Sequence, residues 1–295
     1  MKVSIIIVNF NTCNLLRDCL HSVYEYTKGI SFEIIIVDNA SNDNSVEMIE
    51  NTFPDVKLIK SIENLGFGKA NNLGIDKSDG EFLFFLNSDT TLLNNVLKIL
   101  SDYLLVNKNA GVVGGNLYSN DGTPTHSFSR LLPGFLTELD QILRLKLTKL
   151  LFGENSNFNY TNRPLEVSYI TGADMMVRKS IINEVGGFDP DFFLYYEETE
   201  LTFRIKKKGW GIFSIPAAKI IHHNGASSNN SLKKDKFYFD SSIMYYKKVY
   251  SNPIIRLILF VSYVKVILAL IKNVIRNKKM RINYWKNQMY LLKNI

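Results

Sequence analysis

The sequence predicts an α/β fold with a mostly parallel central sheet flanked by helices, followed by a basic, apolar helical extension. Three observations carry this. Short β-branched or aromatic runs, VSIIIV at 3–8, FEIIIV at 32–37 and FLFFL at 82–86, alternate with segments of helical spacing, the pattern of strand–helix–strand units. These runs are apolar at nearly every position, as strands covered on both faces must be. Composition then breaks after Asp240, where eleven lysines and arginines follow with no acid. The net charge of +7 is therefore a property of that segment, and the first 240 residues are net acidic.

The elements follow in order. Val3–Val8 is the first strand, and Leu15–Tyr26 repeats its apolar residues at helical spacing. Phe32–Val37 is the second strand and ends at Asp38; Ser45–Phe53 is a short helix behind the turn Ser41–Asn44; Val56–Ile59 is the third strand. Lys69–Ile75 is helical, Phe82–Leu86 is the fourth strand, Asn94–Val106 is helical, and residues 111–118 form another strand. From Ser119 to Arg163 clusters of Gly, Pro, Ser and Asn surround one helical piece, Leu136–Leu151, which reads as an insertion over the site. Regularity returns at Val167–Ile170 and through TGADMMVRK. A helix within 192–208 stops at Gly209, and Gly211–Ile215 and Lys219–Ile221 are two late strands.

Composition bounds the function. At 295 residues, 46% hydrophobic and 21% charged, the chain is globular with a large core. The first apolar run is too short for a secretory signal, and Cys13 and Cys19 give neither metal spacing nor a disulfide framework. Both features place the expectation in the cytoplasm. A pI near 9.1 raises nucleic-acid binding, but the charge lies on an apolar tail and no nucleic-acid motif is present. No nucleic-acid partner is expected.

Candidate chemistry collects at strand ends. Asp89 follows FLFFL within Asn87-Ser88-Asp89 and either caps a helix or holds a metal at the carboxyl edge of the sheet. Asp38 ends the second strand, where a carboxylate accepts hydrogen bonds from a ribose or base, or closes an Asx-turn. The segment Asn64–Asn72 carries Gly66 and Gly68, which permit close backbone approach to a ligand or simply form a tight turn. Asn9-Phe10-Asn11-Thr12 follows strand one without a glycine, against a dinucleotide cofactor. Glu197, Glu198 and Glu200 open a helix among Phe188, Phe192, Phe193, Tyr195 and Tyr196; a carboxyl desolvated by those rings suits a general base. Glu200 and Arg204 form an i, i+4 pair of structural type. His222 and His223 end a late strand, either hydrogen-bonded in the core or binding metal.

The ordered segments VSIIIVNFN, IIIVDNASNDNS, ENLGFGKANN, FLFFLNSDT, YITGADMMVRK, GGFDPDFFLYYEETEL and IIHHNGASS resemble the family 2 glycosyltransferases of the GT-A fold, most closely the bacterial rhamnosyltransferase-like branch. The resemblance covers roughly residues 1–230. It implies an inverting transfer from a nucleotide-diphosphate sugar, dTDP-rhamnose first and UDP-hexoses next, to an acceptor hydroxyl in bacterial cell-surface polysaccharide synthesis. It implies nucleotide contacts from Asn9, Asn11, Asp38, Asn64, Gly66, Asn71 and Asn87. Asp89 and His222, with His223 as the alternative, would hold Mg²⁺ or Mn²⁺. Asn87 stands where the D-x-D motif has its first acid. Glu198 is the expected base, with Glu197 beside it, and Gly172, Ala173, Asp174 and Tyr196 meet the acceptor or sugar. The other reading is a catalytically weak sugar-nucleotide-binding scaffold of the same fold.

The implied division is a catalytic domain over 1–240, comprising a nucleotide-binding half (1–118), a variable insertion (119–165) and an acceptor half (166–240), and a tail over 241–295. Ile254–Ile271 is strongly apolar yet contains Arg256 and Lys265, so the tail is expected to lie in a membrane interface rather than to span, an interface that Tyr284 and Trp285 suit. The opposing reading has it packing on the catalytic domain or a second subunit. The acceptor is then a saccharide or lipid-linked saccharide, and the protein sits at the inner face of the cell membrane. The sequence leaves a homo-oligomer open.

Overall fold

The computed structural model describes residues 2–223, 231–277 and 279–293. The end of the last motif, Asn224–Ser228, and Lys278 lie outside the described residues. The chain runs β1 (Lys2–Asn9), α1 (Cys13–Tyr26), β2 (Ser31–Asp38), α2 (Ser45–Thr52), β3 (Lys57–Lys60), α3 (Phe67–Asp76), β4 (Phe82–Leu86), β5 (Thr90–Leu92), α4 (Val96–Val106) and β6 (Ala110–Tyr118). It continues with β7 (Phe128–Ser129), α5 (Phe135–Ile142), α6 (Lys146–Phe152), β8 (Leu165–Glu166), β9 (Tyr169–Ile170), β10 (Asp174–Arg178), α7 (Lys179–Val185), α8 (Glu197–Lys207), β11 (Gly211–His222), α9 (Ser231–Val249), α10 (Asn252–Ile275) and α11 (Lys279–Lys293).

The main sheet has the order β3-β2-β1-β4-β10-β6-β11-β5, with β8 added to β11. Pairing is parallel through β3, β2, β1 and β4. It turns antiparallel on both sides of β10 and is parallel again between β6 and β11. The sheet is thus parallel in its N-terminal part and mixed beyond it. Alternate residues of each strand feed opposite cores: Ile5, Ile7, Phe82 and Phe84 face α1, α2 and α4, while Ile6, Leu83 and Phe85 face α7 and α8. That two-sided burial explains why FLFFL is apolar throughout.

Several local expectations change. Residues 90–92 are strand β5, paired with β11, and the next helix starts at Val96 behind Asn95. Asp89 therefore caps no helix. The helical piece in the insertion breaks into α5 and α6 at Arg144 and Leu145, both in left-handed backbone; Asp140 accepts the Leu147 and Thr148 amide hydrogens that open α6. The two late strands are one, β11, with an irregularity between Ser214 and Lys219 that accommodates Pro216.

The expected boundary at residue 240 falls inside α9. Phe192 and Tyr196 share a third apolar core with Ile243, Tyr245, Tyr246, Ile255 and Ile258, so the start of the tail is continuous with the body. Trp285 is half-buried and lines a cavity of about 150 Å³ together with residues of α5, α9 and α10.

Candidate active site

Topology brings the chemistry to one edge. β1, β2 and β4 are parallel, so Asn9, Asp38 and Asn87 end together. β10 runs against β4, with Asp174 opposite Leu86, so Thr171-Gly172-Ala173 arrive at that edge. β11 delivers His222 opposite Thr90. A cleft of about 390 Å³ opens there. Its lining includes Asn64, Gly66, Asn87, Asp89, Gly172, Ala173, Glu197, Glu198 and His222.

Below the cleft lies a hydrogen-bonded floor. Asn9 Nδ2 donates to Asp38 Oδ1 (2.9 Å) and Ser41 Oγ (3.0 Å), and the Ser41 amide donates to Asp38 Oδ2 (3.0 Å). Thr12 Oγ1 bridges Asn9 Oδ1 and Ser88 Oγ at 2.7 and 2.8 Å. Asn39 donates to Asn64 Oδ1 and the Gly66 carbonyl and accepts the Leu65 amide hydrogen, which fixes the glycine loop. Gly66 has φ 81°, and a Cβ there would collide with the Phe193 carbonyl oxygen. The Phe67 amide donates to that oxygen at 2.9 Å. The loop before α3 is thereby clamped to the segment that leads into Glu197.

Six expected contact residues do not line the cleft. Asn9 and Asp38 are buried braces; Asp38 is 2% exposed with both oxygens engaged. Asn11 is exposed and accepts the Asn42 amide hydrogen. Asn71 donates to the Phe67 carbonyl within α3. Asp174 is wholly buried and accepts the Gly115 amide hydrogen, and its other oxygen has no partner. Burial holds that carboxyl well above the usual carboxylate range. The sixth, Tyr196, turns away to share a hydrogen bond with Tyr238 at 3.2 Å.

The adjacent acids differ. Tyr195 and Tyr196 take left-handed backbone and swing the chain into α8. Glu197 is 2% exposed and its Oε1 has no partner. Glu198 is partly exposed, contacts Thr199 Oγ1 at 3.3 Å, and lies against Gly172. Burial raises both carboxyls, and repulsion from Glu198 adds to the shift of Glu197. Glu200 is bidentate to Arg204, whose remaining donors reach the Val185, Gly186 and Gly187 carbonyls; this pair is structural.

At the opposite strand ends, His222 Nε2 lies 3.2 Å from Asp89 Oδ1 and 3.4 Å from Asn87 Nδ2. His223 instead meets Thr91 Oγ1 at 2.9 Å. No group of three His, Cys, Asp or Glu side chains able to hold a metal occurs among the described residues. The pair still fits a divalent cation. Ligand bonds of about 2.1 Å at right angles separate adjacent donors by about 3.0 Å. An oxygen and an imidazole suit Mg²⁺ or Mn²⁺, and such ions are commonly completed by substrate phosphates. Asn39, Thr12, Ser88, Thr171, Phe193 and Lys234 also line or brace the cleft; all but Lys234 lie in motifs the sequence singles out, though without an assigned role.

Comparisons with known proteins bear on the family and the fold. The chain is 26% identical over 212 residues to the N-acetylglucosaminyl-diphospho-decaprenol L-rhamnosyltransferase of Mycobacterium tuberculosis, covering 66% of this chain and 67% of the relative. It is 26% identical to a dTDP-rhamnosyl transferase of Shigella flexneri over 66% of this chain and 61% of that one. It is 24% identical to a low-salt glycan biosynthesis hexosyltransferase of Haloferax volcanii, over 81% and 72%. Among solved structures, GalNAc-T7 with UDP, GalNAc and Mn²⁺ superposes with a TM-score of 0.60 at 16% identity, over 84% of this chain but 48% of that one. S. aureus TarS superposes at 0.56 and 17%, over 83% and 39%. The chain thus spans less than half the length of either solved structure, and these likenesses establish the GT-A-like fold. Residues 4–186 match the family model described as glycosyl transferase family 2, and the chain belongs to that family.

Proposed function

We propose that the protein is an inverting glycosyltransferase. It moves a sugar from a nucleotide-diphosphate donor, dTDP-rhamnose first and UDP-hexoses next, to a hydroxyl of a saccharide or lipid-linked saccharide during cell-surface polysaccharide assembly. The observation that carries this reading is the pairing in one cleft of a partly exposed, pKa-raised Glu198 with Asp89 and His222 at the strand ends. Glu198 takes the proton of the acceptor hydroxyl. The oxygen bonds to the anomeric carbon from the face opposite the diphosphate, and the carbon–oxygen bond to the diphosphate breaks with its electron pair. Mg²⁺ or Mn²⁺, held by Asp89 and His222, would neutralise charge on that leaving group. Burial and repulsion from Glu198 favour the protonated form of Glu197, which leaves the more accessible Glu198 as the base. The names of the mycobacterial and Shigella relatives support the rhamnosyl donor.

The test is release of nucleoside diphosphate from dTDP-rhamnose and UDP-hexoses with Mn²⁺ and a diphospholipid-linked N-acetylglucosamine acceptor, read by chromatography. Transfer by the wild type and none by Glu198→Gln, with nucleotide binding retained, is expected. Equal turnover by the variant removes the base assignment. Binding without turnover by the wild type leaves the scaffold reading.

The tail favours a membrane-proximal acceptor. α10 is long and apolar enough to cross a membrane by length and composition. Yet Lys265 points inward to Glu138 (2.5 Å) and Gln141 (2.9 Å) of α5, while Ile254, Leu257, Phe260, Leu268 and Ile271 are exposed. One face packs on the body and the other is free to lie in a lipid interface. Flotation with anionic liposomes checks this: a full-length chain that stays wholly in the soluble fraction ends the idea.

A further inference from the structure

We propose that Lys234 binds the donor diphosphate, so that the C-terminal helical layer completes the donor site. The assignment rests on the donor reading above and adds one contact to it. Lys234 lies in the first turn of α9 and lines the cleft together with Asp89, Glu197, Glu198 and His222. It is half-buried. Among the described residues it is the only lysine or arginine lining that cleft.

Its side chain forms no ion pair among the described residues, although other lysines of the same helix do. Lys236 pairs with Asp240 at 2.5 Å, and Lys248 reaches Asp189 and Asp191 at 2.7 Å each. A half-buried ammonium without a counter-ion is free to pair with an anion that enters the cleft. The other lining residues able to carry charge are Asp89, Glu197, Glu198 and His222, and a carboxylate repels a diphosphate. An ammonium supplies the opposite charge in compact form, and lysine is a standard phosphate partner of this kind.

The helix is held in place for this role. Positions 234, 237 and 241 share one face of α9. Phe237 packs on the Phe193 ring at 4.9 Å, and Ser241 donates to the Leu194 carbonyl at 2.8 Å. Phe193 and Leu194 themselves line the cleft. The face carrying Lys234 is thus docked on the cleft wall at two further points.

The test is calorimetric titration of the full chain, in Mn²⁺, with UDP and dTDP and with the nucleosides uridine and thymidine. Lys234→Met keeps the apolar stem and removes the charge; Lys234→Arg keeps the charge. Loss of one charge-assisted contact predicts diphosphate affinity roughly ten- to a hundredfold weaker for Lys234→Met, nucleoside affinity unchanged, and Lys234→Arg within a few-fold of wild type. Unchanged diphosphate affinity in Lys234→Met overturns the assignment. So does an equal loss for diphosphates and nucleosides, which marks a disturbed pocket. A wild type that binds neither diphosphate overturns the donor reading itself, a separate result from failure of Lys234 alone.

Discussion

The two walls of the cleft are built in opposite ways. The sheet-edge wall is short loops between buried strands, and its polar side chains hold one another: Asn9, Asp38, Ser41, Thr12 and Ser88 form one connected floor. The helical wall is aromatic. Behind it Phe192, Tyr196, Tyr245 and Tyr246 pack into an apolar cluster, and its titratable groups, Glu197, Glu198 and Lys234, lack strong partners. The first wall is pre-organised and has spent its hydrogen bonds on itself. The second presents unsatisfied charge to whatever enters. Rigidity and reactivity are thus divided between two parts of the chain.

The largest test of that division is Glu198→Gln, which should cost roughly a hundred- to ten-thousandfold in transfer rate with little change in nucleotide affinity, measured by steady-state kinetics and calorimetry. An equal loss in Asp38→Asn would show that the floor takes part in the chemistry and blur the comparison. Next is Gly66→Ala. It forces a side chain into left-handed backbone against Phe193, with strain of about 1–3 kcal/mol in chemical denaturation and loss of nucleotide binding, because the two walls meet there. A smaller effect attends Lys265→Met, which strands Glu138; a loss of about 1–2 kcal/mol, between the values for exposed and buried pairs, is expected. Adding Glu138→Gln should recover most of it.

The smallest effects are in pH dependence. Glu197 and Asp174 are both raised by burial. The stability tied to their neutral forms is complete below the ordinary carboxylate range and is lost as pH rises through the raised values. Melting curves of Glu197→Gln and Asp174→Asn should therefore fall less than the wild type's as pH rises from the ordinary carboxylate range, the Glu197 difference being complete just above its raised value of about 8. Transfer runs the other way: it rises with pH as Glu198 gives up its proton. A flat rate profile would remove Glu198 as the titrating base.

The legible parts of the sequence were those with long-range simplicity. FLFFL announced a two-sided strand, and the residues at strand ends pointed to the edge where the cleft opens. What stayed hidden depended on distance or degree. Thr90–Leu92 is too short to announce itself as a strand, and only pairing with β11 makes it one. Glu197 and Glu198 are neighbours with identical side chains; only the fold shows that one is buried and the other partly exposed. Lys234 sits in a charged run, LKKDK, that reads as a solvated surface until α9 docks on the cleft. Asn71 and Asp174 looked like ligand contacts because of their motifs, yet one serves its own helix and the other a sheet amide.

The irregularity in β11 sets which histidine meets Asp89. Ser214 pairs with Gly114 and Lys219 with Asn116, so β11 carries three more residues than β6 across that stretch. Three is odd, and strand side chains alternate sides with every residue. The bulge therefore inverts the parity of the strand just before its last residues, and that inversion puts residue 222 on the cleft side and residue 223 against Thr91. Deleting one residue from Ile215–Ala218 would restore the opposite parity and slide His223 into the place of His222. The tandem histidines then act as a tolerance in the chain: a deletion variant should keep Mn²⁺-dependent nucleotide binding, whereas the same deletion combined with His223→Ala should lose it.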